Sequence, residues 1–239
     1  DLWSLADARR VGEAMAPLTG LFPPLAPAGA VAGVIRPDLA AAYGLPAGIP
    51  VHVGAHDSSL ALVPHAGPVA RTPSVAMSTG TWLTAFAIGV EVMPPDPAPG
   101  VMASLDIFGR LVPNFRFMAG KARADILGDR VDLPPRPAEA CRIVQDPHSG
   151  TFQLTDPAGA HVRPNDVAGL DRLLAREAIC GMQAIGAEGP VHVTGPFATN
   201  PEFIHTLQKC WHFAVRPRSY EESLVDQIAA LFDQEGQGR

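Results

Sequence analysis

One carboxylate in the sequence comes shortly after a segment that is predicted to be a buried strand. Residues 49–54 form a short run with β-branched residues and a terminal glycine, and Asp57 follows it. A carboxylate at the carboxyl end of a strand is held rigidly and reaches the crevice where α/β folds bind ligands. There it can accept a proton from an attacking hydroxyl group or coordinate a metal ion. The alternative is that Asp57 only caps a helix that begins near Ser58.

A second candidate is a glycine flanked by hydroxyl residues, in the segment Ser78-Thr79-Gly80-Thr81. The pattern of residues 74–88 predicts two strands joined around this segment. A tight turn of this composition offers backbone N–H groups and hydroxyl donors to an anionic phosphate. An ordinary hairpin turn is the alternative, and the segment alone leaves both open.

The third candidate is a loop of small residues, Thr194-Gly195-Pro196, which follows a predicted strand at residues 191–193. A helix is predicted to open at Asn200-Pro201. Such a loop lets a ligand approach the backbone and the amino terminus of the helix. A plain strand-to-helix connection is the alternative.

Three other types of site are excluded by their sequence requirements. The Gly120-Lys121 pair is not part of a Walker A loop, because Ala122 replaces the required Ser or Thr. The chain's histidines lack a recognised metal-ligand spacing, so no protein metal site is predicted. A serine hydrolase is not predicted either, because the chain has no GxSxG elbow.

Composition limits the class of protein. The 239 residues are 47% hydrophobic and 18% charged, the balance of a globular protein. A net charge of −6 and a pI of about 5.7 argue against a nucleic-acid surface, which needs clustered Lys and Arg. Every long apolar stretch is interrupted, so no membrane span is predicted. The 3 cysteines form no CxxC pair, and we expect reduced thiols and a cytoplasmic protein.

The surrounding pattern predicts a hairpin-rich middle followed by an α/β ending. Hairpins are predicted at residues 101–117 and around residues 156–159, and residues 133–137 are a proline-rich break. The predicted helices are residues 5–16, 38–43, 119–127, 167–185, 201–210 and 221–232, and a last strand is predicted at residues 213–215. These elements favour a layered α/β protein in which helices pack against a sheet.

Taken in this order, the segments resemble the FGGY family of carbohydrate kinases, and within it kinases of L-rhamnulose and L-fuculose. Residues 48–57 are similar to the family's "G-x-P-V-x-x-G-x-H-D" segment. Residues 77–82 are similar to its "S-S/T-G-T-W" turn, and Gly195 with Asn200 resembles its adenosine-side loop. The resemblance is firm over residues 21–82 and looser over residues 166–232.

The resemblance implies an α/β, ribonuclease-H-like (actin-like ATPase) fold. Residues 1–66 would close a sugar-binding N-terminal domain, and residues 67–239 would form the C-terminal ATP-binding domain. The implied activity is ATP- and Mg²⁺-dependent phosphorylation of a sugar hydroxyl, on a ketose or polyol. In that reaction Asp57 would be the catalytic base, with His56 beside it at the sugar. The residues that would contact ATP are Ser78, Thr79, Gly80, Thr81, Gly195 and Asn200.

The sequence also departs from the family pattern. Thr194 and Pro196 stand where the family has glycine, and Pro196 removes a backbone donor. We expect this chain to be part of a larger kinase and to be inactive by itself, because sugar contacts and metal-linked carboxylates would come from the other half. Two alternatives stay open. One is a non-catalytic, degenerate kinase or fragment that binds sugar, nucleotide or a partner without turnover, and the other is an actin-like ATPase without a sugar substrate.

Overall fold

The structure is a computed structural model, and it describes residues 26, 28–54, 62, 72–90, 98–106, 110–128 and 133–218. The candidate residues His56 and Asp57 lie outside the described residues, as do the helices predicted at residues 5–16 and 221–232.

The described part is a mixed α/β arrangement of strands and helices. The strands are β1 (Val31–Val34), β2 (Pro50–His52), β3 (Ser74–Thr79), β4 (Leu83–Ile88), β5 (Val101–Leu105), β6 (Leu111–Phe117), β7 (Pro135–Arg136), β8 (Arg142–Gln145), β9 (Phe152–Thr155), β10 (His161–Pro164), β11 (Val191–Thr194) and β12 (Val215–Pro217). The helices are α1 (Pro37–Tyr43), α2 (Ala119–Leu127), α3 (Val167–Ala184) and α4 (Pro201–Cys210), with short 3₁₀ turns at Ala138–Ala140 and Pro196–Thr199.

The central element is a six-stranded sheet with the order β12-β11-β3-β4-β6-β5. Strands β12, β11 and β3 run parallel, whereas β4, β6 and β5 each run antiparallel to their neighbours. Alternate residues of β3 serve both faces, as the pleat requires. Val75 and Met77 enter the main hydrophobic core, and Ala76 enters a second cluster on the opposite face.

Helix α3 covers the main face of this sheet. Asp166 caps its amino terminus, because its side chain accepts a hydrogen bond from the backbone N–H of Gly169. Its apolar stripe, including Leu170 and Leu174, is fully buried, and the helix packs on β4 and β6. Gly181 lies directly against the ring of Phe115, where a Cβ atom would be only 1.9 Å from that ring. The glycine therefore sets how closely the helix approaches the sheet.

A smaller sheet and the two shorter helices complete the fold. The four-stranded sheet has the order β7-β10-β9-β8, and α2 packs against its β9 and β10. Helix α4 packs on α3, with Asn200 as its N-cap and Pro201 as its first residue. Strands β1 and β2 form a separate antiparallel pair with α1 between them in the chain. No described helix is long and apolar enough to cross a membrane.

Most predicted elements are confirmed, and the exceptions have physical reasons. The helices at 119–127 and 201–210 have the predicted bounds. The last strand lies at Val215–Pro217 rather than at 213–215, because its register follows its parallel partner β11. The proline-rich break contains the two-residue strand β7, and β1 and β8 were not predicted. The segment 49–54 is a strand but not a buried one: Val51 and Val53 are 48% and 47% exposed, because among the described residues it pairs only with β1.

The close approach at Gly181 gives a stability prediction. Replacing Gly181 by Ala should destabilise the fold by about 1–3 kcal/mol through overpacking, although alanine is the better helix former. Urea unfolding measures the change. In a Phe115→Leu background the same substitution should cost clearly less, because the clashing ring is gone. Purely additive costs for the two substitutions would contradict the proposed contact.

Candidate functional site

Three segments of the chain leave the six-stranded sheet at the same edge. Strands β3 and β11 are parallel neighbours, with Thr194 opposite Ser78, so the chain leaves both at the same side. We call the connection at residues 78–82 the hydroxyl turn and residues 195–200 the Gly195 loop. Strand β6 ends at this edge too, since Phe117 lies opposite Leu83, and α2 begins directly after it. The structure thus brings together the second and third candidates of the sequence analysis.

The side chain of Thr79 joins the hydroxyl turn to the Gly195 loop. Its hydroxyl group donates to the backbone oxygen of Thr194 over 2.5 Å and accepts from the backbone N–H of Phe197 over 3.1 Å. The residue is only 4% exposed. The hydroxyl group of Thr79 therefore faces the neighbouring loop and holds the two connections together.

Gly195 is the residue that permits this contact. Its φ angle is +84°, in the region that favours glycine, and a Cβ atom there would lie 1.8 Å from the backbone oxygen of Thr79. Any side chain at this position would push the loop away from the turn. The sequence-predicted glycine is thus required by backbone packing at the edge of the sheet.

The start of α2 packs on the other side of the hydroxyl turn. A Cβ atom on Gly120 would lie 2.2 Å from the backbone oxygen of Gly80, and the backbone N–H of Lys121 donates to Thr81 over 3.4 Å. The ammonium group of Lys121 donates instead to Asp125 over 2.5 Å and to the carbonyl of Gly150 over 3.1 Å. In the sequence, Gly120 was the signal of this close backbone packing.

Asn200 has a structural role in the described geometry. Its side-chain oxygen accepts from the backbone N–H of Phe203 over 3.0 Å, and its side-chain amide donates to Asp171 over 2.8 Å. Asp171 in turn accepts from Arg123 over 2.6 Å and 3.2 Å. The hydrogen bond to Asp171 raises the pKa of Arg123. This network connects α2, α3 and α4 beneath the edge of the sheet.

Sequence analysis did not identify Arg123 and Asp171. The signal in the sequence was Asp171 itself, an acidic residue beside the apolar stripe of α3. Burial of a carboxylate at such a position is unfavourable unless the carboxylate is paired. Asp171 is 4% exposed, and its two partners satisfy it.

Other groups at this edge are open. A Cβ atom on Gly80 would meet nothing closer than the backbone oxygen of Trp82 at 3.8 Å. Thr81 is exposed, Trp82 is 46% exposed, and Ser78 is half-buried. An unobstructed backbone at Gly80 and an exposed hydroxyl group at Thr81 suit an anion such as a phosphate. Within the described ranges no group of three or more His, Cys, Asp or Glu side chains could hold a metal ion.

The strand that precedes the first candidate is well defined. The backbone N–H groups of Val53 and Gly54 donate to Ala30 and Ala28, each over 2.9 Å. These bonds continue the β1–β2 pairing up to the last described residue before Asp57. The geometry of Asp57 itself lies outside the described residues.

Known proteins similar to this chain are carbohydrate kinases. An L-fuculokinase from Salmonella typhi is 42% identical over 62 residues, which are 26% of this chain and 12% of that protein. A carbohydrate kinase from Novosphingobium aromaticivorans superposes with a TM-score of 0.59 at 28% identity, over 87% of this chain and 50% of that one. A gluconate kinase from Lactobacillus acidophilus shares the fold with a TM-score of 0.63 at 13% identity, over 91% of this chain and 49% of that one.

The chain therefore spans about half the length of these solved structures and a smaller part of the curated relative. Residues 71–237 match the family described as carbohydrate kinase FGGY, C-terminal domain. This match covers more than half of the chain and includes the hydroxyl turn, the start of α2 and the Gly195 loop. The chain belongs to the FGGY carbohydrate kinase family, and it matches the C-terminal domain of that family.

Proposed function

We propose that this chain forms the ATP-binding part of a cytoplasmic kinase that phosphorylates a hydroxyl group of a ketose or polyol. The observation that carries the proposal is the junction of the hydroxyl turn with the Gly195 loop through Thr79. Two connections that resemble the family's phosphate and adenosine segments are held side by side at the end of parallel strands, where α/β folds bind ligands. The L-fuculokinase relative agrees with a sugar substrate.

In this proposal the two domains bind different ligands. Residues 67–239 would hold ATP, and residues 1–66 would close the sugar-binding domain. The strand order supports a ribonuclease-H-like fold for the larger part, since the antiparallel strands β3, β4 and β6 are followed across the sheet by the parallel strands β11 and β12. Asp57 follows β2 by only a few residues in the sequence. The proposed base would therefore lie near the boundary between the two domains.

Each residue of the proposed site is assigned to a charged group or a proton of the phosphoryl-transfer reaction. Gly80 and Thr81 would contact the phosphates of ATP, with Ser78 beside them. Thr79 would act by holding the turn against the Gly195 loop. Mg²⁺ would neutralise part of the charge on the phosphate oxygens that coordinate it. Asp57 would accept the proton of the sugar hydroxyl, and His56 would contact the sugar. Alignment of these groups contributes most of the rate in this type of reaction.

A second candidate function is nucleotide or sugar binding without turnover. Pro196 supplies no N–H donor, and the side chain of Asn200 is already bonded to Phe203 and Asp171. These features leave the Gly195 loop with fewer groups for adenosine. A protein of this kind would bind ATP and release no sugar-dependent ADP.

The open space at Gly80 allows a direct test of the nucleotide site. Gly80→Val should weaken ATP binding by about tenfold or more, because the side chain would fill the space through which a phosphate reaches the backbone. Since the first atom a Cβ would meet is 3.8 Å away, the unfolding temperature should change little. Isothermal titration calorimetry with ATP and thermal unfolding measure the two effects.

Gly33→Val is the matched control for this substitution. Gly33 lies in β1, and a Cβ atom there would have nothing within 4 Å. It should leave both ATP affinity and unfolding temperature unchanged. Equal ATP affinities in the Gly80 variant, the Gly33 variant and the unmodified protein would place the nucleotide elsewhere.

The proposed base has its own test in the catalytically active protein. Asp57→Asn should lower kcat for sugar phosphorylation by about 100-fold or more, because a general base contributes at least that factor. The affinity for ATP should stay within a few-fold, because the substitution changes little volume. Steady-state kinetics with a panel of ketoses and polyols measures both values.

Asp38→Asn is the corresponding control, since Asp38 is a surface carboxylate whose side chain is 60% exposed and pairs only with Arg36 among the described residues. It should retain full activity. A kcat for Asp57→Asn as high as that of the control would remove Asp57 from the mechanism.

A further inference from the structure

Four polar residues are aligned across the six-stranded sheet. Thr194 lies opposite Ser78, Ser78 lies opposite Thr84, and Thr84 lies opposite Arg116. Residues that are directly opposite one another in a sheet project from the same face. We call these four residues the hydroxyl–arginine row. It runs across β11, β3, β4 and β6, on the face away from α3.

The row lies where this face of the sheet opens to solvent. The next row on the same face consists of residues that are at most 7% exposed, namely His192, Ala76, Phe86 and Asn114. The members of the hydroxyl–arginine row are all partly exposed. They are also the last row on this face of the sheet, and Ser78 is the first residue of the hydroxyl turn. The polar groups are therefore accessible at the edge that carries the candidate site.

The row contains a cation and hydroxyl donors that are not paired within the described part of the chain. Arg116 lies 5.0 Å from the centre of the Trp82 ring and makes no salt bridge with a described residue. Ser78 and Thr84 have no side-chain hydrogen bond among these residues. The hydroxyl group of Thr194, at one end of the row, already donates to the backbone oxygen of Met77 in β3 over 3.3 Å.

These groups have the chemistry of an anion site. A guanidinium group without a carboxylate partner binds phosphate oxygens through charge-assisted hydrogen bonds. The contact with Trp82 restricts the side chain of Arg116, which lowers the conformational entropy that binding would cost. Two strand spacings of about 4.8 Å, about 10 Å in all, separate Ser78 from Arg116, the two ends of the part of the row that remains open. One phosphate group cannot contact both residues, whereas a chain of phosphates can.

We propose that the hydroxyl–arginine row binds the polyphosphate of ATP, with Arg116 contacting its terminal phosphates. The inference rests on the nucleotide binding proposed above and extends it to Thr84 and Arg116, outside the motif of the hydroxyl turn. The terminal phosphates then lie over β4 and β6, on the face away from α3. Arg116 stabilises the negative charge there.

Tripolyphosphate is the probe that separates this row from contacts to adenosine. Calorimetry on the full chain compares tripolyphosphate and ATP in the unmodified protein, Arg116→Gln and Thr84→Val. Arg116→Gln should weaken both ligands by about tenfold or more, since it removes a charged hydrogen-bond donor. Thr84→Val should weaken both by a smaller factor. Arg142→Gln is the matched control, because it removes the same charge from an exposed position in β8, and it should leave both affinities unchanged.

Trp82 provides a second readout that a purely structural role of Arg116 would not produce. When tripolyphosphate binds Arg116, the guanidinium group shifts on the exposed indole ring, so the fluorescence of the protein should change. The change should be absent in Trp82→Phe and in Arg116→Gln. If Arg116→Gln does not fold, the Thr84→Val affinities and the fluorescence titration of the unmodified protein decide the question.

The outcomes separate this proposal from the proposed function. If Gly80→Val loses ATP binding while Arg116→Gln and Thr84→Val match Arg142→Gln, the row is wrong and the nucleotide site stands. If the unmodified chain binds tripolyphosphate through Arg116 but does not bind ATP, the row is an anion site that does not hold ATP, and both this inference and the proposed nucleotide site are overturned. Binding of neither ligand by the unmodified chain overturns both.

Discussion

The contact between Gly195 and the backbone oxygen of Thr79 determines the shape of the candidate site. The two parallel strands β3 and β11 bring their connections to one edge, but only a residue without a side chain lets those connections touch. The hydroxyl group of Thr79 then bonds to both sides of Gly195, at Thr194 and Phe197. These contacts fix the two connections relative to each other, which preorganises any ligand site that uses both of them.

The position of Pro196 in the 3₁₀ turn explains how the loop accepts a proline in place of glycine. Pro196 is the first residue of the 3₁₀ turn Pro196–Thr199, a position that accepts proline well because its fixed φ suits the first turn. The next N–H group, that of Phe197, is bonded to Thr79 rather than left open. Gly195, with its positive φ angle and its close contact to Thr79, is therefore the position in this loop that requires glycine. The Gly195 loop is a defined structure even though it is poor in glycine.

A charged pair next to the site, Arg123 and Asp171, holds the helices around it together. Asp171 receives hydrogen bonds from Arg123 on α2 and from Asn200 at the start of α4. Since α2 packs on Gly80 and α4 follows the Gly195 loop, this pairing ties together the elements on both sides of the site. Removing either partner leaves the buried carboxylate of Asp171 with fewer hydrogen bonds, which destabilises the fold. Arg116, by contrast, is held by an aromatic ring and keeps its charge available.

The sequence by itself determined the local elements and the types of group at the edge. Helices 119–127 and 201–210, the hairpins, the glycine–hydroxyl segment and Gly195 all follow from short-range pattern, because periodicity, capping residues and turn glycines act over a few positions. Only the tertiary structure decided which of these groups meet. Strand order and register placed Thr79 against Gly195, turned its hydroxyl inward, exposed Val51 and Val53, and aligned Arg116 with Ser78 and Thr84. Pairing between distant segments depends on packing across the whole sheet, which no local pattern encodes.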